Sequence, residues 1–274
     1  AFLENRTTLR VINLKNKQVR TVLDGKYNYS YADGDQYYQW SPDSKWFLAK
    51  YIAIGGWNNT DIVLVKADGS GEMTNLTESG YSDNNAKWVL DGKAMIWSSD
   101  RAGYRSHGSW GAEDDIYIMF FDGEAYDKFR LTKEEQALLD EEKEDKDKDE
   151  KDKDSKKDKD SKKDKDKDDD KKDEKADKPV EPLKFDLANR KDRIMRLTVN
   201  SSFLGDAVLT QKGDKLYYCA AFENGYDLWE HNFKENTTKL LIKGVGGGTM
   251  FPDKKGENIF LVSGGQLKKI EIKD

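Results

Sequence analysis

YYQWSPDSKWFLAKY (residues 37–51) and NAKWVLDGKAMIWSS (residues 85–99) decide the fold of this chain. Each consists of two short runs of alternating apolar and polar residues, joined by a Pro-Asp or an Asp-Gly turn. This pattern predicts a β-hairpin. A third copy, DAVLTQKGDKLYYCAAF, occupies residues 206–222, and a weaker fourth occupies residues 248–264. The chain is therefore built from a repeated unit.

Each of the first three copies is followed by a second pair of predicted strands, at residues 60–77, 114–122 and 226–242. The outermost strand tends to end in a Leu-Thr step, which recurs at Leu76-Thr77, Leu131-Thr132 and Leu197-Thr198. The unit is thus four short antiparallel strands over roughly 40–50 residues, the size of a propeller blade. One such sheet cannot bury both of its faces alone, whereas radial stacking hides them. The sequence predicts an all-β protein of the β-propeller class.

The blades can be counted along the chain. The pattern predicts a partial blade at 1–24, full blades at about 36–77, 85–198 and 205–242, and a blade that stops after its third strand at 246–274. A closed ring needs at least about 4 complete blades. We therefore expect an incomplete arc of about 4–5 blades, cut from a longer protein. The alternative is that the two ends share one closing blade.

A charged insertion interrupts the second full blade. We assign residues 1–122 and 184–274 to one propeller domain and residues 123–183 to the insertion. It begins with a helical pattern, TKEEQALLDEEKE, in which Thr132 and Glu135 form a capping box. Charged residues then fill 35 of the 38 positions from 141 to 178. That run has no apolar surface to offset the entropy cost of ordering, so we expect it to be disordered.

Composition excludes several classes of function. Outside residues 141–178 the chain has 31 basic and 34 acidic residues, so it is mildly acidic and lacks the basic stripe of a nucleic-acid-binding protein. Apolar runs stay well below about 18 residues, so we expect no membrane span. Cys219 is the single cysteine, which rules out a disulfide framework and favours a buried small hydrophobe.

Catalytic and metal sites are poorly supported. The chain has two histidines and no GxSxG motif. His107 lies beside Ser106 and Ser109, but neighbours in one flexible loop rarely reach the geometry of a catalytic triad. His231 lies in a predicted strand and is expected to be structural. The residues His107, Glu113, Asp114 and Asp115 match no metal-ligand spacing, and Gly-rich phosphate loops are absent. We expect no catalytic residue, no metal and no cofactor.

Aromatic residues are the remaining functional signal. Five tryptophans fall in predicted strands, where packing between blades explains them: Trp40, Trp46, Trp88, Trp97 and Trp229. Trp57 in IGGWNNT and Trp110 in HGSWGAE fall in Gly-rich loops instead. These two, with Arg105 and His107 from the loop of Trp110, are the predicted contacts for a peptide or protein partner at a propeller mouth.

The repeats also resemble a known family. WSPDSKW, DIVLVKADGSGEMTNLT and WSSDRAG…DIYIMFFD are similar to TolB-type and WD40-like propeller repeats, although Ser44 replaces a consensus Gly and Val89-Leu90 replace Ser-Pro. The longer string from Ser99 to Leu131, with its charged insertion and RLTVNSSFLGDAVLTQ, resembles the N-terminal propeller of bacterial tricorn-like serine peptidases.

That resemblance implies a non-catalytic propeller that gates or guides peptides or unfolded polypeptides. Cleavage would belong to a downstream PDZ domain and protease core, and the chain has no match to their catalytic Ser, His and Glu positions. It also implies an extracytoplasmic, periplasmic location, with a cytoplasmic one left open, as is homo-oligomerisation. Two alternatives remain: a TolB-like interaction module of the envelope, or the propeller of a prolyl-oligopeptidase-like hydrolase.

Overall fold

The computed structural model describes residues 1–53, 56–107, 110–142 and 181–272. The chain divides into two compact units, one formed by Ala1–Phe129 with Pro182–Asp274 and the other by Arg130–Glu181. The predicted disorder of the charged run, from residue 143 to 180, lies outside the described residues and stays a prediction.

Five antiparallel sheets make up the described part of the first unit. Sheet 1 contains β1 (Phe2–Glu4), β2 (Thr8–Ile12) and β3 (Val19–Leu23). Sheet 2 contains β4 (Tyr38–Trp40), β5 (Trp46–Tyr51), β6 (Asp61–Lys66) and β7 (Met73–Asn75). Sheet 3 contains β8 (Asp83–Val89), β9 (Ala94–Ser99), β10 (Asp115–Phe120) and β11 (Ile194–Arg196). Sheet 4 contains β12 (Phe203–Leu209), β13 (Lys215–Ala221), β14 (Asp227–Asn232) and β15 (Thr237–Ile242). Sheet 5 contains β16 (Thr249–Pro252), β17 (Asn258–Ser263) and β18 (Gln266–Glu271).

In each sheet the strands follow chain order, and every neighbouring pair is antiparallel. Helix α1 (Gly123–Arg130) follows β10, where the insertion was predicted to begin. The all-β fold with four-stranded antiparallel blades is confirmed.

The core lies between the sheets. Because side chains alternate along a strand, consecutive residues of a central strand enter different clusters. Phe47 of β5 packs between sheets 1 and 2, and Leu48 packs between sheets 2 and 3. Trp97 of β9 joins the cluster with Leu48, whereas Ile96 faces sheet 4. All four side chains are at most 2% exposed. Both faces of the inner sheets are therefore buried, as a stack of blades requires.

The stack remains open among the described residues. Four hydrophobic clusters lie between successive sheets, and none of them joins sheet 1 to sheet 5. Sheets 1 and 5 are separate three-stranded sheets, so the alternative of one shared closing blade is not what forms. Phe251, Val262 and Leu267 of sheet 5 are exposed. The predicted incomplete arc is confirmed.

The hairpin turns follow the predicted chemistry. Gly92 has a φ of 85° between β8 and β9, a conformation that glycine adopts without steric cost. After Pro42, the Ser41 hydroxyl accepts hydrogen bonds from the amides of Lys45 and Trp46, at 3.2 and 2.9 Å. The side chain of Ser41 thus closes the turn.

The Leu-Thr step ties the outer strand to the third strand. Thr77 Oγ1 donates to Asp61 at 3.0 Å and accepts from the Ile62 amide at 3.1 Å. Thr198 does the same with Asp115, at 2.5 Å, and with the Ile116 amide, at 3.2 Å. Asp61 and Asp115 are both buried at the start of their strands. The repeated Asp and Thr are therefore structural.

The prediction that Leu131-Thr132 ends an outer strand was wrong. In the second unit, Thr132 lies directly before a helical segment at residues 133–142. Its Oγ1 accepts from the Glu135 amide at 3.2 Å, and the Glu135 carboxylate accepts from the Thr132 amide at 2.8 Å. The predicted capping box is confirmed, and this reciprocal pair explains why a helix starts here.

A buried ion pair links the first strands of three sheets. Lys87 Nζ of β8 donates to the Asp206 carboxylate of β12 at 2.6 Å and to the Met250 carbonyl of β16 at 3.0 Å. Asp206 also accepts from the Met250 amide at 2.7 Å. The two side chains are only 15% and 10% exposed. One buried ion pair and its hydrogen bonds thus hold together the first strands of sheets 3, 4 and 5.

Replacing Lys87 by Met should lower the free energy of unfolding by about 3–5 kcal/mol, because Asp206 would be left buried without a cation. Urea unfolding followed by fluorescence measures the change. The control is Asp33→Asn, whose ion pair with Arg6 is at the surface. It should change stability by less than about 1 kcal/mol. Equal effects of the two substitutions would contradict a special role for the buried pair.

Candidate functional site

Two equivalent loops lie at the same edge of neighbouring sheets. Residues 52–60 join the second and third strands of sheet 2, and residues 100–114 do so in sheet 3. Because neighbouring strands are antiparallel, these loops share an edge with the connections between sheets, including residues 24–37. We call this the front edge. The hairpin turns around Pro42 and Gly92 lie at the opposite edge.

An exposed aromatic cluster occupies the front edge. The rings of Trp57 and Trp110 lie 5.6 Å apart, and Tyr31 meets Trp57 edge-on at 5.9 Å. Tyr29 continues the cluster, 4.9 Å from Tyr31. These side chains are between 42% and 66% exposed. The two loop tryptophans singled out from the sequence are thus brought together. Tyr29 and Tyr31 were missed, although YNYSYADG places three tyrosines in one polar loop.

Arg105 and His107 have different surroundings from the tryptophans. Arg105 Nε donates to Asp100 at 3.0 Å, and its guanidinium lies 5.0 Å from the centre of the Tyr81 ring. His107 is exposed, and its carbonyl accepts from the Trp110 amide at 3.3 Å. Neither lines the cavity described below. Arg105 therefore stabilises the loop, and the backbone of His107 helps to position Trp110.

The loop forms no nucleophile–base pair among the described residues. Ser106 Oγ is buried and has no hydrogen-bond partner there, while His107 points to solvent. Ser109, the other serine considered from the sequence, lies outside the described residues. The described part of the loop therefore does not form the Ser-His pair that nucleophilic catalysis uses.

A cavity of about 200 Å³ opens beside the two tryptophans. Its lining residues come from sheets 2 and 3 and their loops: Trp57, Asn58, Thr60, Asp100, Trp110 and Asp114, among others. Thr60 Oγ1 donates to the Asp83 carbonyl at 2.9 Å, so the hydroxyl of this lining residue already has a hydrogen-bond partner. The cavity combines aromatic rings with carboxylates.

Asp114 is the unusual member of this lining. Burial, together with the smaller effect of the nearby carboxylates of Asp100, Asp115 and Asp83, raises the pKa of its carboxyl group to about 7. Its backbone pairs with Ser202. Within the described ranges, no side chain forms an ion pair or hydrogen bond with its carboxylate. From the sequence, Asp114 was considered only as a possible metal ligand, because no local pattern shows that its carboxylate lacks a partner.

The neighbouring carboxylates all have an arginine. Arg101 binds Asp83 at 3.0 Å, Arg105 binds Asp100 at 3.0 Å, and Arg196 binds Asp115 at 2.8 Å. Asp114 is the fourth carboxylate of this group, and the described part of the chain supplies it with no cation. In the described ranges, no three or more His, Cys, Asp or Glu side chains are arranged so that they could hold a metal ion.

A larger cleft, of about 520 Å³, lies on sheet 4. Tyr218, Phe222 and Trp229 form its aromatic wall, and Phe222 meets Trp229 edge-on at 5.3 Å. Trp229 Nε1 is buried without a partner among the described residues. The carboxylate of Asp227, which also lines the cleft, already accepts a hydrogen bond from the Gly244 amide at 2.8 Å. This cleft is a second place where a ligand could bind, and the experiments below distinguish it from the front edge.

Cys219 and His231 are structural. Burial raises the pKa of the Cys219 thiol to about 12, which keeps it protonated and unreactive. His231 is buried, and its Nδ1 lies 2.8 Å from Thr238 Oγ1. Burial lowers the pKa of its ring. Both interpretations made from the sequence agree with these surroundings.

The stacked sheets define a TolB-like β-propeller fold. TolB from Acinetobacter baumannii superposes with a TM-score of 0.53 at 15% identity, over 99% of this chain and 47% of that one. A putative TolB from Agrobacterium tumefaciens gives 0.51 at 12% identity, over 96% of this chain and 65% of that one. The chain thus spans about half the length of the first protein. At these identities the likeness shows the fold alone.

Comparison of the sequence with known proteins does not assign the chain to a family. No protein-family model and no curated protein matches the chain. Helices in the described ranges are all too short or too polar to cross a membrane. The narrower resemblance to tricorn-like peptidases therefore stays a hypothesis.

The raised pKa of Asp114 predicts a pH dependence of stability. Between about pH 4 and pH 7 the folded state keeps a proton on Asp114 that the unfolded state releases, so its contribution to stability decreases as the pH rises. Urea unfolding at pH 5 and pH 7.5 should show a larger loss of stability for the native chain than for Asp114→Asn. A variant with the same pH profile as the native chain would contradict the assignment.

Proposed function

We propose that this propeller binds segments of unfolded peptide at the front-edge aromatic cluster and guides them to the protease core of a tricorn-like serine peptidase. The observation that carries the proposal is the exposed cluster of Tyr29, Tyr31, Trp57 and Trp110 beside a cavity with an unpaired carboxylate. Contiguous exposed apolar surface of this kind marks interaction sites.

Aromatic side chains suit the binding of varied peptides. Tyrosine and tryptophan supply large contact areas at low cost in side-chain entropy, and both are enriched in binding hot spots. The cluster is assembled from loops of neighbouring sheets, so its position is set by rigid elements while the loops supply the contacts. This arrangement favours recognition of a peptide over chemistry on it.

Catalysis would belong to other domains of the same protein, a PDZ domain and a protease core, in an extracytoplasmic compartment. The lack of a nucleophile–base pair among the described loop residues supports this division of labour. The string from Ser99 to Leu131 with its charged insertion is the feature that favours the tricorn-like family.

A second candidate is a TolB-like interaction module that binds a folded protein partner and has no peptidase attached. The likeness in fold to the two TolB structures favours it. The coding sequence after Asp274 separates the candidates, because a PDZ domain and protease core would support the first. An α/β-hydrolase domain there would instead support a prolyl-oligopeptidase-like enzyme.

Replacing Trp57 or Trp110 by Ala should weaken the binding of short unstructured peptides about tenfold or more, equivalent to about 1.4 kcal/mol. The physical reason is the loss of a large ring from the contact surface. Fluorescence anisotropy with fluorescein-labelled peptides measures the affinity. Tyr104→Ala is the control, since Tyr104 is 68% exposed in the same loop but does not line the cavity. An equal loss in the control, or no loss in either tryptophan variant, would contradict the site.

The chain should cleave no peptide. Incubation with the same labelled peptides, followed by mass spectrometry, measures hydrolysis directly. Turnover that disappears in the Ser106→Ala variant would overturn the non-catalytic assignment.

A further inference from the structure

The front edge uses the same arrangement twice to hold an arginine. Arg101 lies between the Asp83 carboxylate, at 3.0 Å, and the rings of Trp97 and Tyr117, whose centres are 5.4 and 4.8 Å from its guanidinium carbon. Arg105 lies between the Asp100 carboxylate, at 3.0 Å, and the Tyr81 ring, at 5.0 Å. In both cases a cation is held by a carboxylate and an aromatic face together.

The cavity beside Trp57 repeats this arrangement without the arginine. Asp114, Trp57 and Trp110 all line it. Tryptophan is the ring that attracts cations most strongly. Since no described side chain pairs with Asp114, the place that an arginine takes in the other two arrangements is open to a ligand.

We propose that this cavity binds one cationic group of the peptide, a guanidinium or an ammonium, against the Asp114 carboxylate and the two tryptophan rings. The inference rests on the proposed function and deepens it, because it specifies which peptide segments the front edge prefers. An arginine or lysine side chain and a free amino terminus share this chemistry, and the experiment separates them.

The size of the cavity fits a single side chain. Its volume of about 200 Å³ is below the range of about 300–1,000 Å³ typical of pockets for whole small-molecule ligands. The aromatic lining also favours an organic cation over a metal ion, which needs several oxygen, nitrogen or sulfur ligands. The described residues provide no such set.

Charge in the surroundings supports the same ligand. The charged groups around Asp114 are the carboxylates of Asp83, Asp100 and Asp115, which are paired with Arg101, Arg105 and Arg196 respectively. These pairs balance in charge, so an ionised Asp114 leaves one negative charge in excess. A bound cation compensates that charge and favours the ionised carboxylate. Binding near pH 6 should therefore release a proton.

The test uses three peptides that differ only at the amino terminus and at one side chain. The first has an acetylated amino terminus and one arginine. In the second, citrulline replaces the arginine, which keeps the shape and removes the charge. The third has citrulline and a free amino terminus. Isothermal titration calorimetry at pH 6, in two buffers of different ionisation enthalpy, gives the affinity and the number of protons released.

The native chain should bind at least one of the two cationic peptides about tenfold more tightly than the blocked citrulline peptide, with proton release. Whichever peptide gains identifies the source of the cation, side chain or terminus. Asp114→Asn should abolish both the preference and the proton release while keeping affinity for the blocked citrulline peptide. Glu223→Gln is the matched control, because it removes an exposed carboxylate from the equivalent loop of sheet 4, where it lines the second cleft, and should preserve the preference. A preference lost in Glu223→Gln would indicate binding in that cleft and overturn the inference.

Equal affinity of the native chain for all three peptides would overturn the inference and leave the proposed function standing. So would a preference that Asp114→Asn preserves. If none of the peptides binds the native chain, the proposed function fails as well. Circular dichroism and the urea midpoint of Asp114→Asn show whether the variant is folded, and Asp114→Leu provides a second uncharged variant with a similarly branched side chain.

Discussion

Each inner sheet of this protein is apolar on both faces, and the structure depends on covering both of them. Phe47 and Leu48 are neighbours in sequence, yet they are buried in clusters on opposite faces of sheet 2. A sheet of this kind cannot be stable in isolation, because one face would always meet water. Stacking of successive repeats satisfies the constraint for sheets 2, 3 and 4. The repeated polar residues then fix the ends of the strands, as Asp61 and Thr77 do in sheet 2.

The same stacking creates the candidate site. Trp57 and Trp110 are far apart in sequence but occupy equivalent loops of neighbouring sheets, so face-to-face packing places their rings 5.6 Å apart. Tyr31 reaches them from the connection that leads from sheet 1 into sheet 2. An aromatic cluster at the front edge is therefore a consequence of the repeat, and the residues that differ between repeats determine what the cluster can bind.

Local signals in the sequence predicted the local structure well. The turn at Gly92 and the capping box of Thr132 and Glu135 each depend on residues within a few positions, and the structure contains both. The Leu131-Thr132 step failed as a strand end because the same threonine also begins a capping box. The sequence could indicate either structure at that position, and the helical pairing formed.

Contacts between distant residues could not be predicted in this way. Lys87 and Asp206 are brought together after register shifts in β8 and β12, which alter the direction of side chains without a clear sequence signal. That Asp114 lacks an arginine becomes apparent only when the ion pairs of Asp83, Asp100 and Asp115 are considered together. These residues do not form a short sequence motif. Trp57 and Trp110 were found because aromatic residues in Gly-rich loops lack a packing explanation.

The most direct measurement is a crystal structure of the chain with a bound peptide that contains one arginine and a free amino terminus. We expect electron density for a cationic group between the Asp114 carboxylate and the rings of Trp57 and Trp110. The rest of the peptide should run along the front edge past Tyr31. A peptide bound instead in the cleft of Trp229, with the cavity beside Trp57 empty, would contradict peptide binding at the front edge.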